Sequence, residues 1–468
     1  MPRAIRFVAV VDIGKTNAKV VLHDLLERRD LGFHSVVNEV RQDGPYPHFD
    51  LDRLFAFVLD SIRRIAALHP IDAISITTHG ASAVLIDDSG LALPMIDYEF
   101  DISGPESDEY ETIRPPFSET QSPSMGAGLN VGRQLFWLQR RFPDEFARTR
   151  HIMTYPQYWV WKLTGELAFE PTSVGCHTDL WNPARNDFSS LVDRMGWRPL
   201  FATRRQAFDV VAPLRTDLAA RIGMSESDPL PVLCGIHDSN ASLLPHLLSR
   251  QTPFSVVSTG TWVVSFSIGG RAIALRPGFS TMANVDAFGR PVPSGIFMGG
   301  REFDLLTERS TASPTADDIA KVIDRQIMAH PGQTPGTGPF PHAKGGWSQA
   351  PASLSPTERC VAASLYAALS TQAVLELIGA EGTIVVEGPF ARNPIYLSAL
   401  RQLTQRKVSA SADGTGTSAG AALLALGPDG ALASDDGNAD DDAVLPDLSR
   451  YRAAWLARAE VQERELTP

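Results

Sequence analysis

The stretch Phe7-Val8-Ala9-Val10-Val11-Asp12-Ile13-Gly14-Lys15-Thr16-Asn17-Ala18-Lys19-Val20-Val21-Leu22-His23-Asp24-Leu25 decides the fold. Phe7 to Val11 is a short continuous apolar run, the pattern of a buried strand, and Ala18 to Leu25 reads as a second strand. Only the polar, glycine-containing segment 12–17 lies between them, so the pair predicts a hairpin. Backbone N–H groups converge on the concave side of such a turn and attract anions. Thr16 and Asn17 add side-chain donors, Lys15 and Lys19 add positive charge, and Asp12 at the strand end can hold water on a magnesium ion. Taken alone, the segment is equally an Asx-type turn with no ligand. It is no Walker A loop, because GxxxxGK[ST] does not occur.

Outward from the hairpin, a third strand is expected at 33–40. Leu51, Leu54, Phe55, Val58, Leu59, Ile62 and Ile65 recur at helical spacing, and 71–77 and 82–87 read as strands. The order strand, strand, strand, helix, strand differs from a dinucleotide fold, which alternates strand and helix from the start. The same grammar returns past the midpoint. Residues 254–258 and 262–268 are strands around Thr259-Gly260-Thr261, and 383–386 is a strand ending in Glu387-Gly388-Pro389. A helix at 394–405, a strand at 407–412, a loop at 414–417 and a small-residue helix at 418–426 follow. Two halves that each open with a strand–polar turn–strand unit point to a duplication.

The Gly/Pro-rich segment 331–351 reads as a surface excursion, the acidic 427–442 as a solvated spacer, and 449–465 as a closing amphipathic helix. With 468 residues the chain exceeds one ordinary core. Its formal charge of −12, from 54 acidic against 42 basic residues, excludes the basic footprint of a nucleic-acid binder. The three cysteines, Cys176, Cys234 and Cys360, lie far apart, which excludes a disulfide scaffold or zinc ribbon and fits a reducing compartment. The run from Phe7 to Val11 is too short for a signal sequence, and no run of about 20 apolar residues is apparent. A cytoplasmic protein without membrane partners is expected.

Asp238, in Gly235-Ile236-His237-Asp238-Ser239-Asn240, stands at the start of a helix. It serves there as an N-cap, or as a carboxylate that accepts a hydroxyl proton during group transfer. His237 reads as a packed histidine. Ser258-Thr259-Gly260-Thr261 repeats the chemistry of the first turn, and two such turns on two repeated halves favour a polyphosphate. Asp97-Tyr98-Glu99-Phe100-Asp101 is a solvated acidic loop or a hydroxyl-recognising one. Tyr155, Tyr158, Trp159 and Trp161 look like helix packing.

With these pieces in order, the chain resembles the FGGY carbohydrate kinases of the actin-like ATPase superfamily, from Val8 to about Leu426. VVDIGKTNAKVVLHD is similar to the family's first phosphate motif, CGIHDSNAS to the segment carrying its catalytic aspartate, and VVSTGTWVVSF to its second phosphate motif. TYPQYWVWKLTGE resembles its mid-domain helix and IVVEGPFARNPIYLSAL its adenosine motif, while Gly260-Thr261-Trp262 leans towards the rhamnulose and fuculose kinase branch. The departures are Glu387-Gly388-Pro389 for a triple glycine, Thr415 for a later acidic position, and Glu99 with Asp101 for an Asp-x-Arg pair.

The resemblance implies an α/β chain of two ribonuclease-H-like domains, each a mixed five-stranded sheet with helices, with an interdomain cleft. Domain 1–247 would carry sugar, first phosphate turn and catalytic Asp, and domain 248–468 the second turn and adenosine site. It implies Asp238 as catalytic base. Gly14, Lys15, Thr16, Asn17, Lys19, Thr259, Gly260, Thr261, Gly388, Pro389, Asn393 and Gly420 would hold ATP, while His79, Gly80, Glu99, Asp101 and Asp238 would hold the sugar. Asp12, through water, and Asp238 would hold Mg²⁺. The partners are then ATP and a small sugar, with a homodimer open. The expected activity is phosphoryl transfer to a ketose such as L-rhamnulose or L-fuculose. A polyol or sugar-acid kinase, or a non-catalytic nucleotide- or sugar-sensing module, are the alternatives.

Overall fold

The computed structural model describes residues 4–225, 227–411, 416–433 and 443–464. The chain divides into two compact units: Met1–Ser249 with Ala283–Pro291 and Thr415–Ala433, and Arg250–Met282 with Val292–Gly414 and Ser434–Pro468.

In the first unit, β1 (Phe7–Ile13) runs antiparallel to β2 (Asn17–Asp24), which pairs with β3 (Arg29–Val37). On the other side β1 pairs in parallel with β4 (Ala73–Thr78), joined by β5 (Val210–Pro213), β6 (Pro231–Leu233) and the short β7 (Ile236–His237). Alternation along β1 feeds two cores. Ala9, Val11 and Ile13 face the buried stripe Leu51, Leu54, Val58, Ile62 and Ile65 of helix α1 (Leu51–Ala66). Val8 and Val10 face Leu244 and Leu248 of α2 (Asp238–Ser249) and Ala421 of a later helix, Thr417–Ala422. α1 starts where Asp50 accepts the Arg53 N–H at 3.0 Å.

In the second unit, β8 (Phe254–Thr259) and β9 (Val263–Ile268) form the corresponding hairpin. The sheet continues through β10 (Thr281–Val285), β11 (Pro291–Phe297), β12 (Thr383–Glu387) and β13 (Val408–Ala410) in the order β10-β11-β9-β8-β12-β13. Among its helices are α3 (Gly299–Thr307), α4 (Pro356–Leu377), α5 (Pro394–Thr404) and α7 (Ser449–Arg464); α6 (Thr417–Ala422) returns to the first unit. Setting aside edge strands β5 and β10, both sheets place the first strand between its hairpin partner and a parallel strand. The expected α/β class with two mixed sheets is therefore present.

The structure corrects several details. The sheets have seven and six strands rather than five. The third strand spans 29–37 rather than 33–40, because it pairs with β2 from Asp24↔Arg29 onwards while Asn38 leaves to bond the turn. Segment 331–351 is no mere surface excursion: Phe340 packs edge-on against Trp455, and the Gly338 N–H donates to Ser280 Oγ at 2.8 Å. α4 is long and apolar enough to cross a membrane by length and composition, yet 83% of its apolar window is buried, as in a core helix. Gly414 and Thr415, residue 412 of the expected strand, 434–442 of the acidic spacer and residue 465 lie outside the described residues.

Gly420 sits where α6 crosses α2, and a Cβ there would overlap the Ala241 carbonyl oxygen. Gly420→Ala should destabilise the protein by about 1–3 kcal/mol through overpacking, measured by urea unfolding. An unchanged midpoint would show that the two helices have room to part.

Candidate active site

Three neighbouring strands of the first unit end together. Ile13↔Thr78 and Thr78↔His237 are register partners, so Asp12, His79 and Asp238 emerge at the carboxyl edge of one sheet. Ligands bind at such edges in open α/β sheets. The turn after β1 is closed by Gly14 N–H to Asn17 O at 2.9 Å, and Asn38 Nδ2 donates to Gly14 O at 2.9 Å. Thr16 and Asn17 are left exposed.

Asp12 is buried. Its Oδ2 accepts from Ser418 Oγ at 2.6 Å and lies 3.3 Å from Lys19 Nζ, its cross-strand partner. Burial raises its pKa above the ordinary carboxylate value; Lys19 and Ser418 work against that shift, and Asp238's charge adds to it. Two carboxylates with mutual repulsion and exposed hydroxyl and amide neighbours are a hard-oxygen donor set. Such a set suits Mg²⁺, which keeps several waters and needs only one or two carboxylates.

Asp238 opens α2. Its Oδ1 accepts the Ser239 N–H at 2.6 Å and lies 3.1 Å from His237 Nε2. Asn240 Nδ2 can only donate, and it stands 3.3 Å from His237 Nδ1. The neutral His237 that burial favours therefore accepts at Nδ1 and carries its proton on Nε2, the nitrogen beside Asp238. Gly80 is needed here, because a Cβ would strike the His237 ring.

His79 is enclosed by the rings of Phe49, Tyr98 and Tyr155, at centroid distances of 5.6, 5.1 and 4.9 Å. Neither of its ring nitrogens has a hydrogen-bond partner among the described residues. Lys15 turns away from the 12–17 turn: its ammonium pairs with Asp97 and with Glu99 at 3.3 Å, over the rings of Phe49 and Tyr98. Asp101 is exposed, and its Oδ1 accepts the Ser103 N–H at 2.9 Å.

In the second unit a cavity of about 1080 Å³ is lined by Thr259, Gly260, Thr261, Gly300, Arg301, Phe303, Pro389, Phe390 and Asn393 among others. The Thr259 hydroxyl donates to Glu387 O and accepts the Phe390 N–H at 3.1 Å, tying the turn to the segment after β12. Gly388, at φ +78°, leaves space that a Cβ would take from Thr259 O, and Gly300 does the same beside Gly260 O. Gly260 and Thr261 remain exposed. Asn393 caps α5 through Tyr396 N–H at 3.0 Å and donates to Ser364 Oγ at 2.9 Å.

The structure thus gathers Asp12, Gly14, Thr16, Asn17, Lys19, His79, Gly80 and Asp238 in the first unit, and Thr259, Gly260, Thr261, Pro389 and Asn393 around the second unit's cavity. Gly388 lies directly behind that cavity's turn. Gly420 is buried in a helix contact, Lys15 joins the acidic loop, and Asp101 stands apart in its own turn. Reading the sequence missed Ser418 and Arg301, and within the loop 97–101 it singled out Glu99 and Asp101 rather than Asp97 and Tyr98. Asp97 had a signal, since it closes the apolar run Met95-Ile96, whereas Asp101 precedes the turn residues Ser103-Gly104-Pro105.

The chain matches the family model of FGGY carbohydrate kinases, N-terminal domain, over residues 7–245, and that of carbohydrate kinase FGGY, C-terminal domain, over 251–434. A solved carbohydrate kinase from Novosphingobium aromaticivorans is 34% identical, with a TM-score of 0.89 over 98% of this chain and 99% of that one. Plasmodium falciparum glycerol kinase with ADP shares the fold at 12% identity and a TM-score of 0.75, over 99% of both chains. A rhamnulokinase from Enterobacter sp. (strain 638) is 23% identical over 271 residues, 55% of this chain and 53% of that protein. The chain spans about half the length of the curated relatives it matches. It belongs to the FGGY family of carbohydrate kinases. Members of that family are phosphotransferases with alcohol acceptors and use ATP with Mg²⁺.

Burial holds the His79 pKa at about 3 against its ordinary 6.5, and His237 and Lys15 push the same way. The unfolded chain takes up a proton that the folded site refuses. The stability His79 contributes is therefore complete above about pH 6.5 and is lost as pH falls towards about 3. His177 and His237 are lowered too, so they share this acid limb. His79→Phe suits the aromatic enclosure and should shrink the drop in Tm between about pH 7 and about pH 5. An unchanged drop would place the pH dependence elsewhere.

Proposed function

We propose that this chain is an ATP-dependent carbohydrate kinase that transfers the γ-phosphoryl group to a hydroxyl of a small ketose, L-rhamnulose or L-fuculose foremost. The observation that carries the reading is the Asp238 carboxylate, set at a strand-to-helix junction, 3.1 Å from His237 Nε2 and at the same sheet edge as Asp12. In this reading domain 1–247 supplies the acceptor side and domain 248–468 the nucleotide side. The relatives named rhamnulokinase support the ketose, as does Gly260-Thr261-Trp262.

Asp238 accepts the proton of the attacking hydroxyl as its oxygen bonds phosphorus and the bond to the ADP oxygen breaks. Each unit offers its own phosphate donors: Thr16, Asn17 and Lys19 in the first, Gly260 and Thr261 in the second. When bound, Mg²⁺ neutralises phosphate charge; Asp12 and Asp238 are the residues that would hold it. His79 and the aromatic rings around it form the sugar-facing wall, where a hydroxyl would satisfy the unpartnered imidazole nitrogens. Lys15 is neutralised by Asp97 and Glu99, so it offers little charge to a sugar acid and the acceptor is neutral. Cys176, Cys234 and Cys360 are free thiols, which fits a cytoplasmic enzyme.

Calorimetry should show ATP binding in the presence of Mg²⁺ and a sharp loss when EDTA removes the metal. No binding at all would overturn the kinase reading. A coupled ADP-release assay over ketoses, polyols and sugar acids should give its highest kcat/KM with a ketose; a polyol optimum would reassign the substrate. Asp238→Asn keeps an oxygen for the Ser239 N–H, so its Tm should hold while kcat falls by about 10²–10⁴-fold. Unchanged turnover would leave Asp238 a structural residue.

A further inference from the structure

The second unit's cavity has one cation to spare. Arg301 lies in the first turn of α3, and its backbone N–H donates to Thr261 O at 3.3 Å, which fixes its Cα beside the exposed Gly260-Thr261 turn. Its neighbour Glu302 points into the core, accepting from Tyr366 Oη at 2.9 Å and from Thr334 N–H at 3.0 Å. That anchor leaves Arg301 on the cavity side, where it is exposed and lines the wall with Thr259, Gly260 and Thr261.

Four charged residues line this cavity: Arg301, Asp304, Glu308 and Arg309. Asp304 lies 3.7 Å from Arg309, and Glu308 pairs with Arg359, so these charges are matched. The Arg301 guanidinium has no hydrogen bond or ion pair among the described residues. The turn beside it contains no lysine or arginine, only hydroxyls and backbone N–H groups. Asn393, across the cavity, is committed to α5 and Ser364. An anion brought to Gly260 and Thr261 thus meets a single unmatched positive charge, one whose planar fork fits phosphate oxygens in pairs.

We propose that Arg301 is the phosphate-binding cation of the second unit, its guanidinium donating to the polyphosphate of the nucleotide beside Gly260 and Thr261. The proposal rests on the reading of this cavity as a nucleotide site and assigns within it a residue that sets affinity for charged phosphates.

The test is calorimetric titration of Mg²⁺ATP into wild type, Arg301→Met and Arg301→Lys, each at low and high salt, with Tm measured on the same preparations. Met keeps the length of an exposed side chain and removes the charge, so Tm should not move. ATP affinity should fall roughly 10- to 100-fold, the worth of a charge-assisted bond, and lose much of its salt dependence. Lys should recover a large part of the affinity. Unchanged ATP affinity in Arg301→Met, or equal losses in Met and Lys with the salt dependence kept, would overturn the role of Arg301 while leaving the nucleotide site standing. A wild-type protein that binds no nucleotide would overturn both.

Discussion

A carboxylate at the end of a fully buried strand is the constraint from which the first unit is built. Asp12 is the penultimate residue of β1, and the residues before it, Val8 to Val11, are out of water. A charge in that position needs partners. Lys19 comes from the hairpin register, seven residues on, and Ser418 comes from 406 residues away in sequence. The second of these ties segment 415–433 to the first unit, where α6 packs across α2 and Ser75 Oγ donates to Ala421 O at 2.7 Å. The carboxylate is thereby held at the edge where His79 and Asp238 also emerge.

The second unit reaches a comparable turn by other means. Thr259, which occupies the strand end there, is neutral, and its hydroxyl is consumed by the backbone at Glu387 and Phe390. Gly388 and Gly300 let backbone approach backbone around the same turn. One turn is thus braced by charge and the other by close packing. The difference bears on electrostatics, since the packed turn brings no cation of its own and the cavity's unmatched charge comes from α3.

Charge pairing also sorts the groups around His79 in the first unit. Lys15, Asp97 and Glu99 satisfy one another above aromatic rings, while His79 stays neutral and unpartnered in the same neighbourhood. His237 is matched at Nδ1 by Asn240, which leaves its Nε2 3.1 Å from Asp238 Oδ1. The result is a wall with hydrogen-bonding capacity and little free charge, next to a carboxylate able to take a proton.

Much of this was legible in the sequence, because it is local. Apolar runs broken by short polar turns specify buried strands and their hairpins, and the spacing of Leu51 to Ile65 specifies a helix. Asp12, Asp238 and the two turns could be named because each lies at the junction of such elements. The rest depends on where distant segments meet. No periodicity says that Ser418 completes Asp12, that Asp97 rather than Asp101 meets Lys15, or that Gly420 is a helix contact. Nor does composition reveal that α4 is apolar because it is a core helix, or that among the described residues Arg301 is unpaired while Arg309 is not. Local pattern fixes which groups are present and which strands bury them; only tertiary packing decides which charges find partners, because a pair depends on distance in space and not along the chain.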